Sequence, residues 1–215
     1  STLSYSAKPD RNRLMNLAAD YLTAGGFTEI MSNSLTKESY YEGLTSYPAA
    51  RCVRILNPLS ADLNVMRQTL LFNTMEAVQL NANRRNGNLR LYEFGNCYFY
   101  DEAARDAEKP LSAYSEQYRL AIAVTGAAVP QSWNAKPQAS SFFTLRAVAE
   151  KLLRRFGLDI YALKCEPLQS DLFGDGISLS AGNGRELLQM GVVAPRIRRA
   201  FDLKQEVYYL EMNFD

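Results

Sequence analysis

The chain has 215 residues, 47% of them apolar, which is enough for a sizeable core and too apolar for the disordered class. Its 24 Lys and Arg stand against 23 Asp and Glu, so the whole-chain balance carries no electrostatic footprint for nucleic acid, although a local patch is compatible with it. There is no histidine, which removes the commonest general base, the commonest metal ligand and every Ser-His or Cys-His nucleophile.

In chain order, Pro9 and Asp10 head a segment in which Leu14, Leu17, Ala18, Tyr21 and Leu22 recur on one face of an amphipathic helix. Gly25-Gly26 stops it, and Phe27 to Ser32 reads as an outgoing strand. A short helix is expected from Thr36 to about Gly43, with Thr36 or Ser34 as its N-cap. Cys52 to Leu56 reads as a strand that Asn57-Pro58 stops, because proline fixes φ and lacks a ladder N–H. From Thr69 the apolar Leu71, Met75, Val78 and Ala82 predict a helix, ended by Asn86-Gly87-Asn88, and Leu89 to Tyr100 predicts a strand.

Asp101 to Pro110 is charged and has no apolar face, as suits a solvated connection. Tyr118 to Gly126 is apolar on both alternating faces and reads as a buried strand, followed by a loop to Ser141 that carries Trp133. Leu145, Val148, Ala149, Leu152, Leu153 and Phe156 predict a helix capped by Gly157. Ile160 to Cys165, Gly176 to Ala181, Leu187 to Val193 and Val207 to Phe214 predict strands, with helical turns at Pro195 to Ala200. Gly174-Asp175-Gly176 and Gly182-Asn183-Gly184 read as turns, since neither joins a strand to a helix as phosphate binding requires.

Cys52, Cys97 and Cys165 are dispersed in apolar runs without a C-x-x-C pair. They read as buried, reduced thiols, and without histidine they cannot close a four-ligand zinc site. No run approaches the roughly 20 apolar residues of a membrane span, and Ser1 to Tyr5 is no signal peptide; a soluble, cytoplasmic chain is expected.

Four segments form one ordered block: Asn57-Pro58-Leu59-Ser60, Met66-Arg67-Gln68-Thr69-Leu70-Leu71, Asn81-Ala82-Asn83-Arg84 and Tyr92-Glu93-Phe94-Gly95. The block resembles the catalytic-like module of the bacterial phenylalanine–tRNA ligase beta subunit, whose pattern runs N-P-L-S, M-R-x-[ST]-L-L, N-x-N-R and [FY]-E-x-G. Gly26, Phe27, Glu29 and Ile30 are similar to motif 1 of class II aminoacyl-tRNA synthetases, although Asn33 and Ser34 stand near the family's proline. Phe142 to Leu145 and Gly191 to Pro195 continue the likeness, with Ala194 and Asp175-Gly176 where many relatives carry histidine.

The resemblance implies an α+β fold, an antiparallel sheet flanked by helices in the class II catalytic-like manner. It implies one domain over residues 1–215, or two lobes of about 1–112 and 113–215, excised from a larger beta subunit. It also implies a non-catalytic module that assembles with the catalytic alpha subunit in an (αβ)₂ enzyme charging tRNA with phenylalanine. ATP and Mg²⁺ belong to that whole enzyme, and the fragment itself is expected to bind no cofactor and no metal. Motif 1 builds interfaces in the family, so Leu14, Leu17, Tyr21, Phe27 and Ile30 are the candidate subunit contacts. Motif 2 would carry a phosphate-clamping arginine where this chain has Tyr100, and a phenol supplies neither permanent charge nor a bidentate fork. No Gly-rich motif 3 with a second arginine is present.

Arg67, inside the block, is expected to make buried or interface hydrogen bonds, with a substrate role as the alternative. Arg84-Arg85 and the group Arg196, Arg198 and Arg199 read as solvated cations, or else as contacts for tRNA phosphate. Two rival functions stay open: a self-sufficient adenylate-forming ligase and a stand-alone nucleic-acid-binding module.

Overall fold

The computed structural model describes residues 10–58, 60–129 and 131–214. Helix α1 (Arg11–Ala24) starts at Asp10, whose carboxylate accepts the Asn12 N–H, and turns Ala18 and Leu22 inward. Gly26 takes φ 78°, a conformation that favours glycine, and lets the Phe27 N–H return to Leu22 O at 3.0 Å. There follow β1 (Thr28–Glu29), β2 (Leu35–Thr36), β3 (Val65–Met66), α2 (Leu71–Asn83) and β4 (Leu89–Tyr100). The rest of the chain adds β5 (Tyr114–Thr125), β6 (Ala127–Val129), β7 (Gln138–Ala139), α3 (Phe142–Arg155), β8 (Lys164–Pro167), β9 (Phe173–Ser180), β10 (Glu186–Val193), α4 (Pro195–Ala200) and β11 (Val207–Asn213). Among the described residues no helix is long and apolar enough to cross a membrane.

Seven strands form one sheet in the order β1-β4-β5-β11-β10-β9-β8. It is antiparallel throughout except at one edge, where β1 runs parallel to β4, so the expected antiparallel sheet is corrected there. Side-chain alternation on β5 sends Leu120, Ile122 and Val124 to one face and Ala121 and Ala123 to the other. The first face packs on α1 and α3 through Ala18, Leu22, Leu145, Ala149, Leu152 and Leu153. The second packs on Leu71, Met75 and Val78 of α2 and Ile197 of α4. Burial on both faces is why β5 reads as an unbroken apolar run.

Several boundaries differ from expectation for identifiable reasons. The strand predicted at Phe27 to Ser32 pairs only at Thr28–Glu29 and through Ile30 N, because Ser32 gives its N–H and hydroxyl to the Glu93 carboxylate. Cys52 to Leu56 makes only a bridge between Arg54 and Val65, since β3 is two residues long and spends its other edge on β2. Thr36 to Gly43 is a 3-10 turn at Glu38–Tyr41, and its first N–H is taken by Asn64 Oδ1 at 2.9 Å rather than by Thr36 or Ser34. Helix α2 ends at Asn83, before Asn86, because Arg85 turns left-handed at φ 62°. Asp159 caps a 3-10 turn at Ile160–Ala162, which delays β8 to Lys164. Cys52 and Cys97 are buried, but Cys165 is exposed on edge strand β8.

The Gly174-Asp175-Gly176 segment is not a turn. It lies inside β9, with Gly176 opposite Gly191 on β10. A Cβ at Gly191 would stand 2.2 Å from Asp175 O and 2.7 Å from Gly176 Cα, so these glycines permit close backbone approach. Gly191→Ala is therefore expected to cost about 1–3 kcal/mol by overpacking. Gly182→Ala, whose Cβ meets nothing within 4 Å, should stay within about 0.5 kcal/mol. Urea denaturation of the two variants checks this, and equal midpoints would refute the close-approach reading.

Candidate functional site

Three residues of the ordered block converge on the second sheet face. Arg67 and Glu93 are 3% and 1% exposed, and Arg67 Nη1 donates to Glu93 Oε1 at 2.8 Å. Arg67 Nε donates to Asn96 O at 3.0 Å. The Ser32 N–H and hydroxyl donate to the two Glu93 oxygens at 3.0 and 2.9 Å. Gly95 is explained by the same contact, because a Cβ there would lie 2.1 Å from Arg67 Nη2. The E-x-G spacing thus places a carboxylate and a gap on one face of β4, and Arg67 uses both. Arg67 has the buried hydrogen-bonding role expected of it.

The other matched residues lie elsewhere. Asn57 and Pro58 occupy an exposed turn. Asn81 donates to Ala77 O at 2.9 Å and accepts from Asn86 Nδ2 at 3.2 Å, while Asn83 ends α2 and Arg84 caps it. These residues shape the exit from the helix.

A second buried carboxylate, Glu211 on β11, was not singled out from the sequence. Its Oε2 accepts from Thr69 Oγ1 at 2.6 Å, from Leu70 N at 3.1 Å and from the Tyr209 hydroxyl, while Arg119 pairs with Oε1. The carboxylate therefore caps α2 at the positive end of its dipole. Arg119 is further held by Tyr47 Oη at 2.9 Å and by Gln117 Oε1 at 2.7 Å, and its guanidinium lies 5.3 Å from the Phe99 ring centre. Burial alone would lower the Arg119 pKa, but adjacent Glu211 reverses that and keeps it charged. Burial pushes the Tyr209 and Cys97 pKa values up, with Glu211 adding to both. The only sequence signal for this cluster was a charged residue inside each of two otherwise apolar strands.

Glu93 and Glu211 both stand opposite Ala121 on the intervening strand, and Gln189 continues the row on β10. The Arg67 to Leu70 segment crosses over this row, tied to Glu93 at one end and Glu211 at the other. Beside it open two adjoining clefts of about 230 and 320 Å³ that share Tyr47, Gln117, Arg119 and Gln189. Their rim is fixed where Asp171 accepts from Thr45 N and Ser46 N, bonds that draw its pKa below the usual carboxylate range against the opposing effect of burial. Phe99, not Tyr100, faces the first cleft, and exposed Arg51 lies 5.6 Å from its ring centre. Tyr100 bonds Glu102 at the exposed end of β4.

Glu211, which lines the second cleft, and Glu93, buried on the same sheet face, are both bonded to partners from this chain, so neither is a free base or metal ligand. Among the described residues no group of three or more Cys, Asp or Glu is placed to hold a metal ion.

The candidate contact residues separate. Phe27 is buried in the α1–α3 core, which removes it from an interface, because its ring already packs within the chain. Leu14, Leu17, Tyr21 and Ile30 are half-buried, and Tyr21 lies under the Arg155 guanidinium at 4.8 Å. Met31, which the sequence did not single out, is 94% exposed.

The family model of the phenylalanyl tRNA synthetase beta chain CLM domain matches residues 1–214. The phenylalanine–tRNA ligase beta subunit of Bacteroides thetaiotaomicron is 44% identical over 215 residues, covering 100% of this chain and 26% of that protein. The beta subunit of Porphyromonas gingivalis is 37% identical over 216 residues, with the same coverage of each. The chain thus spans about a quarter of the length of these curated relatives. A pyrrolysyl tRNA synthetase of Desulfitobacterium hafniense superposes with a TM-score of 0.69 at 16% identity, covering 96% of this chain and 66% of that one. That likeness establishes a class II synthetase fold.

Two outcomes are expected. Glu93→Ala leaves a buried guanidinium without counter-charge and should cost about 3–5 kcal/mol, whereas Arg67→Met with Glu93→Leu should cost less than the two single changes together. Additive losses in a denaturation cycle would argue against the pairing. Thiol labelling at pH 8 should modify Cys165 quickly and Cys52 and Cys97 only on unfolding, because burial raises both buried thiols and thins their thiolate. Rapid reaction of all three in the native protein would contradict the assignment.

Proposed function

Because the chain belongs to the phenylalanyl tRNA synthetase beta chain CLM domain family, we propose that it is a class II-like module without catalysis of its own, which helps assemble the beta subunit with a catalytic alpha subunit. The assembly is an (αβ)₂ phenylalanine–tRNA ligase that charges tRNA in the cytoplasm, with ATP and Mg²⁺ handled by the alpha subunit. One observation carries the reading: the charged groups on the sheet face, Arg67 with Glu93 and Arg119 with Glu211, are neutralised within the chain. Transfer of an adenylyl group needs preorganised positive charge aimed at the phosphate, and donors already spent on buried carboxylates do not supply it. Arg51 lines the first cleft and Arg185 the second, both on the exposed surface rather than held in the fixed, water-excluded position that a phosphate clamp needs.

The helix–strand unit at the start of the described chain supplies the docking surface in this reading. Leu14 and Leu17 remain half-buried on α1, and Met31 extends apolar surface beyond β1. Obligate interfaces bury on the order of 2,000 Å² or more, and a charge placed near their centre is strongly disruptive.

Reconstitution of the full-length subunits tests both halves of the proposal. Phenylalanine-dependent pyrophosphate exchange should require the alpha subunit and be absent with this chain alone. Leu17→Glu should keep its circular dichroism yet fail to co-elute with alpha. Exchange by the chain alone would overturn the non-catalytic role, and loss of the folded signal in Leu17→Glu would show that this face belongs to the chain's own core.

A further inference from the structure

The paired arginines of the sheet face contrast with a second group of cations at the far ends of α2 and α4. Arg84 and Arg85 follow α2, Arg198 and Arg199 close α4, and Lys204 lies in the loop to β11. Two bonds hold these ends together: Gln79 Nε2 donates to Phe201 O at 2.9 Å, and Gln205 Nε2 donates to Gly87 O at 2.8 Å. Arg198 Nη1 donates to Lys204 O at 3.2 Å. The side chains of Arg84, Arg85, Arg199 and Lys204 hold no carboxylate and no acceptor among the described residues, whereas Arg54, Arg67, Arg119 and Arg154 each sit on a glutamate.

Opposing charge is sparse here. Asp202 stands in the turn, and Glu206 is engaged by the Tyr208 hydroxyl, so five cations face two carboxylates in a chain of net charge +1. A cleft of about 370 Å³ opens between Arg198, Arg199, Asp202 and Lys204. Cations at helix C-termini offset the macrodipole, which accounts for Arg198 and Arg199 in the last turn of α4 and for Arg84 just beyond α2. It does not account for five cations against two carboxylates across two joined helix ends.

We propose that this surface binds the sugar–phosphate backbone of RNA; it rests on the reading above, which makes that RNA a tRNA. Ile197, Phe201 and Leu203 of the same segment are buried in the core, so this segment lacks the apolar centre that a stable protein partner requires. Phosphate contacts need only cations and donors, and they fix position without reading sequence. The neutral whole-chain charge is no obstacle, because association follows the local field.

The test uses the full-length beta subunit, alone and with alpha, carrying Arg84→Gln, Arg85→Gln and Arg199→Gln together. Each lost phosphate contact should reduce the slope of log K against log salt by about 0.7–0.9, so the triple change should reduce it by about 2–3. Filter binding of tRNA near 100 mM salt should weaken about tenfold, and the corresponding triple Lys variant should keep the native slope. An unchanged slope and affinity would overturn the proposal. So would an unchanged slope accompanied by loss of alpha from the complex on size exclusion, which would mark a protein-facing surface. If the unmutated chain failed to assemble with alpha, the earlier reading would fall, while the slope measured on the beta subunit alone would still decide this one.

Discussion

The ion pair of Arg67 and Glu93 joins three parts of the chain that share no sequence neighbourhood. Removing two charges from water costs several kcal/mol each, and the Coulomb term repays that only if the remaining donors and acceptors are also satisfied. Here Ser32 and the Asn96 carbonyl supply those partners, so the pair forms only when the segment after β1, the entry to α2 and the middle of β4 are all in register. Its contribution is therefore mainly to uniqueness. A register slip of one residue on β4 would move Glu93 to the opposite face and leave the guanidinium buried alone.

Glu211 does the same for the other side of the α2 entry. With Thr69 and Leu70 bound to it, the helix begins over the sheet at a fixed point, and Arg119 balances the charge. The face on which this fold presents polar side chains is thus occupied by internal pairs. Satisfying these groups within the chain rigidifies the sheet face beside the clefts and commits Arg67 and Arg119 to carboxylates of the chain itself. In the same molecule a cluster of cations without ion pairs among the described residues lies at the ends of α2 and α4, away from the buried pairs that hold the sheet face together.

Around this polar row the sheet is apolar on both sides, and the residue sizes follow from what lies above each position. Ala121 stands between the two carboxylates where the crossing segment passes, and Gly95 leaves space for a guanidinium. Leu120 and Ile122 point the other way, into the layer formed by α1 and α3. A pair of glycines, Gly176 and Gly191, lets β9 and β10 approach closely.

The sequence by itself determined the long elements and the family. Helical periodicity located α1, α2 and α3, the two-faced apolar run located β5, and the ordered block around Arg67, Glu93 and Gly95 carried the likeness to the beta subunit, because each of these signals is local or kept in order along the chain. Tertiary structure decided where strands stop, since the ends of β1 and β8 depend on which partner takes each N–H, and it placed Phe27 inside and Met31 outside. It also decided the pairing of Arg67 with Glu93 and of Arg119 with Glu211, residues 26 and 92 positions apart. A charged residue within an apolar strand signals that a partner exists. Which residue it is depends on the strand order β4-β5-β11, and periodicity along one chain carries no information about order across a sheet.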